Sequence, residues 1–141
     1  MFTSEYEHTI DAKSRMFVPS KYRDIVGSSV YLCKSLTDEC LYFMTVADWE
    51  EYKNEALERL TATKDRRALR LLFSSVTEVP LDSQGRILIP QNYMDHASLT
   101  DKAVIVGSGK RAEIWAPEKW REYLDSCDMK EIEDVLSDKG L

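Results

Sequence analysis

The chain has 141 residues, of which 43% are hydrophobic and 31% are charged, and its formal net charge is −6. This composition is typical of a soluble globular protein and excludes a largely disordered chain, and the length allows one ordinary core or two very small ones that share residues. The negative charge argues against a molecule that attracts nucleic acid over its whole surface, but residues 120–141 hold 7 acidic and 3 basic side chains and leave the remainder nearly neutral.

The three cysteines, Cys33, Cys40 and Cys127, show no C-x-x-C spacing. Their odd number argues against a disulfide framework and favours a reducing compartment. Cys33 and Cys40 lie in or beside apolar runs, so we expect them in the core. Because the chain lacks a signal-like start and an apolar run of membrane length, we expect a cytoplasmic protein.

Two short stretches of the chain, residues 11–19 and 82–90, are copies of each other. Each has an Asp four residues before an Arg, then three apolar residues and a Pro. A single D-x-x-x-R pattern carries little information, but the duplication raises its weight. A shift of 71 residues aligns ten identical pairs: Phe2/Phe73, Glu7/Glu78, Asp11/Asp82, Arg15/Arg86, Pro19/Pro90, Tyr22/Tyr93, Asp24/Asp95, Trp49/Trp120, Glu51/Glu122 and Tyr52/Tyr123. The sequence therefore predicts a two-fold internal duplication.

Each copy predicts the same local order of structure. Tyr6, His8 and Ile10 alternate with polar residues, which favours a strand, and the motif that follows has turn chemistry. The chain then returns as a strand, and Pro19 or Pro90 begins a short helix. The predicted elements are strands at 6–10, 15–18, 30–33 and 40–44 with a helix at 20–24, and then strands at 86–89, 103–106 and 112–115 with a helix at 91–95.

Longer helices follow the strands, and we expect their apolar stripes to pack in the core, with a cofactor site as the alternative. The stripes consist of Trp49, Tyr52, Ala56, Leu57 and Leu60 in the first copy and of Trp120, Tyr123, Leu124 and Cys127 in the second.

A further helix is predicted over 65–75, where Arg66, Arg67 and Arg70 indicate a solvated face, with a subunit contact or a phosphate contact as the alternatives. The acidic tail, 129–141, is predicted to be helical through Leu136.

Taken together, D-A-K-x-R-x-x-x-P, D-x-x-G-R-I-x-I-P, the run R-R-A-L-R-L-L-F-S-S and the two W-x-E-Y helices resemble the MraZ family of bacterial transcriptional regulators. The resemblance covers about residues 1–123. It implies an α+β fold: an internally duplicated AbrB-like swapped-hairpin β-barrel, double-psi-like, with flanking helices. The predicted divisions are AbrB-like domains at 5–47 and 76–119, a helical connection at 48–75, and a C-terminal helix with an acidic tail at 120–141.

The resemblance also implies a ring-shaped homo-oligomer that binds double-stranded DNA. Its expected targets are short direct repeats upstream of the division and cell-wall gene cluster, including its own gene, and a repressor associated with the nucleoid is the expected role. Several subunits on one DNA molecule raise avidity by about 10²–10⁴, so a near-neutral protomer can suffice. We expect no cofactor, metal, small-molecule substrate or membrane partner.

Carried onto this sequence, the family's D-x-x-x-R motif corresponds to Asp11 with Arg15 and to Asp82 with Arg86. The planar fork of Arg suits phosphate or the O6/N7 edge of guanine, and the Asp of each pair is expected to orient it. Lys13 is a predicted phosphate contact. Its counterpart Gln84 can hydrogen-bond to base or backbone but adds no charge. Arg15 and Lys13 are therefore the first candidates for DNA contact.

One residue departs from the family pattern, because Ser14 stands where the family usually has Gly before the first Arg. If this position has a positive φ, a non-glycine residue there costs about 1 kcal/mol. We therefore expect the first loop to differ from the second in shape or rigidity.

Two other classes of function remain open. An enzyme would need a catalytic set, and the sequence offers only Asp82 and Ser83 with His96, without any supporting motif. A protein-interaction or antitoxin-type module is the other alternative, since AbrB-like domains also occur in antitoxins and the acidic tail could bind a basic partner.

Overall fold

The computed structural model describes all 141 residues. The first half contains β1 (Glu5–Thr9), β2 (Arg15–Phe17), α1 (Ser20–Val26), β3 (Ser29–Lys34), β4 (Leu41–Met44), α2 (Val46–Arg59), a 3₁₀ turn (Thr63–Asp65) and α3 (Arg66–Ser74). The second half contains β5 (Val76–Pro80), β6 (Arg86–Leu88), α4 (Gln91–His96), β7 (Lys102–Gly107), β8 (Ala112–Trp115), α5 (Pro117–Ser126) and α6 (Met129–Asp138). The predicted elements are confirmed to within a few residues at their ends.

Prolines set the starts of three helices. Pro19 and Pro90 are the N-cap residues of α1 and α4, and Pro117 occupies the first turn of α5. Proline suits these positions because the N–H groups at a helix start have no partner within the helix. None of the helices is long and apolar enough to span a lipid bilayer.

The strands of the two halves are interleaved in one antiparallel sheet. Its order is β1-β7-β8-β4-β3-β5, so β1 of the first half pairs with β7 of the second, and β5 of the second half pairs with β3 of the first. The strands β2 and β6 form a separate two-stranded sheet, and Met16 of β2 also bridges to Ile10. The α+β class is confirmed. The six-stranded sheet is open at β1 and β5, and no closed barrel is found.

The hydrophobic core unites the halves and consists of a main cluster and a second cluster of 4 buried residues. Its main cluster has 22 buried residues drawn from both copies of the motif, among them Met16 and Ile87 at the centres of β2 and β6. Phe2 packs edge-on against Tyr22 and Phe43, with ring centroids 4.8 and 5.5 Å apart. Because the halves exchange strands and share this core, neither can be removed without exposing the apolar surface of the other.

The predicted burial of Cys33 and Cys40 is confirmed, and all three thiols are free. The apolar stripes are only partly in the core. Trp49 and Ala56 of α2 are buried, but Leu57 is 51% exposed. Tyr123 and Leu124 of α5 are also exposed, so the prediction that they pack in the core is wrong. Periodicity identifies an apolar face without identifying what covers it.

Candidate nucleic-acid interface

The first motif folds into a tight loop built around the carboxylate of Asp11. One oxygen, Oδ1, accepts hydrogen bonds from the backbone N–H groups of Lys13 and Arg15, both at 2.9 Å. The other, Oδ2, accepts from Arg15 Nε at 2.8 Å. Because Asp11 holds both the backbone and the Nε of Arg15, the two Nη nitrogens of the guanidinium remain available to a ligand.

The second motif repeats this arrangement. Asp82 Oδ1 accepts from the backbone N–H groups of Gln84 and Arg86 at 2.9 Å, and Oδ2 accepts from Arg86 Nε at 2.8 Å. Ser14 and Gly85 both have a positive φ, 60° and 81° respectively. The expected difference in shape is therefore wrong, because Ser14 adopts the left-handed conformation that Gly85 adopts freely.

The ribbon formed by β2 and β6 brings the two loops side by side. Phe17 lies opposite Arg86, and Arg15 lies opposite Leu88. The carbonyl of Ser14 accepts from Ile89 N at 2.8 Å, and that of Gly85 accepts from Val18 N at 3.0 Å. The two copies are thus related by an approximate two-fold axis through the ribbon.

Side chains alternate across this ribbon, which separates it into two faces. Met16 and Ile87 point into the core with no exposed surface. The outer face consists of Arg15, Phe17, Arg86 and Leu88. Arg15 and Arg86 are diagonal neighbours, a relationship that places their Cα atoms about 7–8 Å apart. Two oriented guanidinium groups therefore occupy one outer face of a two-stranded ribbon.

The electrostatics of the loops keep both acids ionised. The backbone N–H of Arg15, with smaller effects from the Arg15 side chain and the Lys13 N–H, lowers the pKa of the Asp11 carboxyl. The backbone N–H of Arg86, followed by its side chain, lowers the pKa of Asp82 in the same way. An ionised Asp favours a fixed Arg orientation and discourages direct contact between the Asp and phosphate.

Sequence patterns missed Arg23 of α1, which lies against the second loop. Its Nε donates to the carbonyl of Val18 at 2.9 Å, and its guanidinium carbon lies 5.5 Å from the centroid of the Phe17 ring. The Arg86 guanidinium carbon lies 5.8 Å from the same centroid. The Phe17 ring therefore contacts two arginines that come from different halves. The position equivalent to Arg23 in the second half is Met94, which is buried, so the duplication could not identify Arg23.

The remaining candidate residues lie at the tips of the loops. Lys13 and Gln84 are exposed, and Lys13 forms no ion pair. The side chain of Arg15 is 33% exposed, against 18% for Arg86. The first loop is thus the more accessible of the two, and it also has the additional cation.

The proposed catalytic set, Asp82 and Ser83 with His96, does not assemble. The Asp82 oxygens are engaged by its own loop, and His96 Nε2 lies 2.8 Å from the carbonyl oxygen of Ser35. No group of three or more His, Cys, Asp or Glu side chains is arranged to hold a metal ion.

Comparison with known proteins assigns the chain to a family. The family model described as "MraZ protein, putative antitoxin-like" matches twice, at residues 1–71 and 72–137, an offset equal to that of the internal repeat. Proteins named transcriptional regulator MraZ from Clostridium tetani and Clostridium acetobutylicum are 42% and 40% identical over the full length of both chains. The one from Roseiflexus sp. is 40% identical over 91% of this chain and 90% of its own. The chain belongs to the MraZ family.

Proposed function

We propose that this protein is a transcriptional regulator that binds double-stranded DNA through the outer face of the β2–β6 ribbon. The observation that carries the proposal is the pair of arginines, Arg15 and Arg86, each oriented by an Asp and both on that face. Relatives named as transcriptional regulators support the regulatory role.

The shape of the ribbon supports DNA as the ligand. The major groove of B-DNA admits a two-stranded β-ribbon, and an Arg with free Nη nitrogens can bind the O6/N7 edge of guanine. Lys13, Arg15 and Arg86 provide positive charge at this face, with Gln84 as a neutral hydrogen-bonding partner. Asp11 and Asp82 act through the arginines, which they hold in place.

The assembly that we propose is a ring of copies, each of which engages one of several short direct repeats upstream of the division and cell-wall genes, as a repressor. In a head-to-tail ring, every subunit presents its binding face in the same orientation around the ring. This arrangement suits direct repeats, which also share one orientation, better than palindromes. The exchange of strands between the halves supports the swapped-hairpin arrangement that the family resemblance implies.

Direct binding measurements test this function. Fluorescence anisotropy should show a preference for a DNA fragment with the direct repeats over a scrambled fragment, and affinity should fall between 50 and 200 mM salt. Arg15→Ala and Arg86→Ala should each weaken binding without changing the oligomer mass. Equal binding to both fragments, or no binding at either salt concentration, would falsify the proposal.

A protein partner is the second candidate function, because the matching family model carries the description "antitoxin-like". If the wild-type chain binds neither DNA fragment, binding of a protein partner to the outer face of the β2–β6 ribbon is tested instead. In that case substitution of Arg15 or Arg86 should weaken the protein complex.

A further inference from the structure

The C-terminal helix α6 is amphipathic and has no partner within its own chain. All ten of its residues are exposed. Its apolar side chains, Met129, Ile132, Val135 and Leu136, recur at spacings of three and four and are 44–72% exposed. They therefore share one face of the helix. A ten-residue helix is only marginally stable alone in water, so a surface that covers this stripe would stabilise it.

The charge of α6 restricts what can cover it. Its acidic residues are Glu131, Glu133, Asp134 and Asp138, against a single basic residue, Lys130. None of them forms an ion pair. The complementary surface must therefore be apolar at its centre and basic around it.

The helix α3 has these properties. Arg66, Arg67 and Arg70 are exposed and form no ion pair, and no acidic residue lies within the helix. Leu71 is 59% exposed on the same helix, and Leu57 of α2 is 51% exposed. A cavity of about 200 Å³ between α2 and α3 adds a largely apolar recess, lined by Tyr52, Ala56, Leu60 and Leu72 and by the mutually paired Glu55 and Arg59.

We propose that α6 of one copy docks on the α2–α3 surface of the next copy. This deepens the ring assembly proposed above and rests on it. The two surfaces are different, so the contact is heterologous and propagates head to tail, giving a ring if it closes and a filament if it does not. Bare phosphate is a poorer occupant of α3, because it would use the arginines but leave Leu71 and the apolar recess uncovered.

A charge exchange tests the pairing. In Arg66→Glu/Arg70→Glu both helices are acidic, and in Glu131→Lys/Asp134→Lys both are basic. Each variant alone should fall to the monomer mass in light scattering, because its two surfaces repel. An equimolar mixture should assemble again to a mass well above the monomer, because every contact between the two different variants joins opposite charges. Lys102→Glu, an exposed residue of β7 outside both surfaces, should keep the wild-type mass.

The outcomes separate this pairing from DNA binding. Variants that retain the wild-type mass, a mixture that stays monomeric, or a monomeric wild type would each overturn the α6–α3 contact. Circular dichroism checks that each variant is folded. If Arg66→Glu/Arg70→Glu is not folded, Leu71→Ser replaces it. In parallel, anisotropy measures whether the wild type prefers DNA with the direct repeats. If it shows no preference, the proposed DNA recognition is wrong, while the light-scattering masses still test the α6–α3 contact independently.

Discussion

Gly85 and Arg23 meet across the two halves of the chain. A Cβ atom added to Gly85 would lie 2.6 Å from Arg23 Nε and 2.8 Å from the guanidinium carbon. Gly85 also has a φ of 81°, a conformation that L side chains rarely adopt. Glycine at this position therefore meets two requirements at once, the turn of the second loop and the space that Arg23 occupies.

Gly85→Ser should accordingly destabilise the protein by about 1–3 kcal/mol, since it adds backbone strain and displaces Arg23. Urea denaturation measures the change. The matched variant is Ser14→Gly, which relieves strain at the equivalent position of the first loop and should leave the protein as stable or more stable. Gly85→Ser with Arg23→Ala should recover part of the loss. A Gly85→Ser protein as stable as the wild type would contradict this prediction, because it would show that the Arg23 side chain can move away from residue 85 without lowering the free energy of unfolding.

Arg23→Met should weaken DNA binding in the same direction as Arg86→Ala. Its guanidinium contacts the same Phe17 ring as that of Arg86, and the buried Met94 shows which residue the other half has at this position. If Arg23 contacts a phosphate, its removal reduces the magnitude of the slope of log affinity against log salt by about 0.9 for each subunit that binds. Arg23→Lys should retain most of that slope. Anisotropy titrations at several salt concentrations distinguish a charge contact, which changes the slope, from a purely structural effect, which lowers affinity at an unchanged slope.

The sequence predicted the loops of this site better than their surroundings. The spacing of Asp11 and Arg15, repeated at Asp82 and Arg86, was sufficient to predict a turn, a returning strand and a following helix, because all three are local. It could not predict that β1 pairs with β7, since alternation of polar and apolar residues identifies a face but not a partner strand. Arg23 was missed for a related reason: its contact with Gly85 is tertiary and occurs in only one copy.

Thiol reactivity should distinguish Cys127 from the other cysteines. Burial raises the pKa of the Cys33 and Cys40 thiols to about 12, whereas Cys127 lies on the partly exposed segment after α5. A pKa of about 12 in place of the usual 8.5 lowers the thiolate fraction at pH 8 by about 10³. We expect an aromatic disulfide reagent to modify one thiol rapidly and the other two only on unfolding. Cys127→Ser should abolish the rapid phase, and a rapid phase that persists in this variant would contradict the assignment.

Acid should destabilise the protein through Asp11 and Asp82. Their folded-state pKa values lie below the ordinary value of about 3.9. The stability that they contribute is therefore fully present above that value and is lost as the pH falls through the lower folded-state pKa. The urea midpoint of the wild type should fall between pH 5 and pH 2, and it should fall less for Asp11→Asn/Asp82→Asn.

Glu39 provides the control for this acid dependence. The Ser98 hydroxyl, followed by the charge of Lys119, lowers its pKa as well, and Glu39 is remote in sequence from both loops. Part of the dependence should therefore remain in the double Asn variant and decrease again when Glu39→Gln is added.

At pH 7 the Asp11→Asn/Asp82→Asn variant should also bind repeat DNA more weakly, because the arginines lose the carboxylates that orient them. Stronger binding would instead mean that Asp11 and Asp82 act mainly as negative charges that repel phosphate.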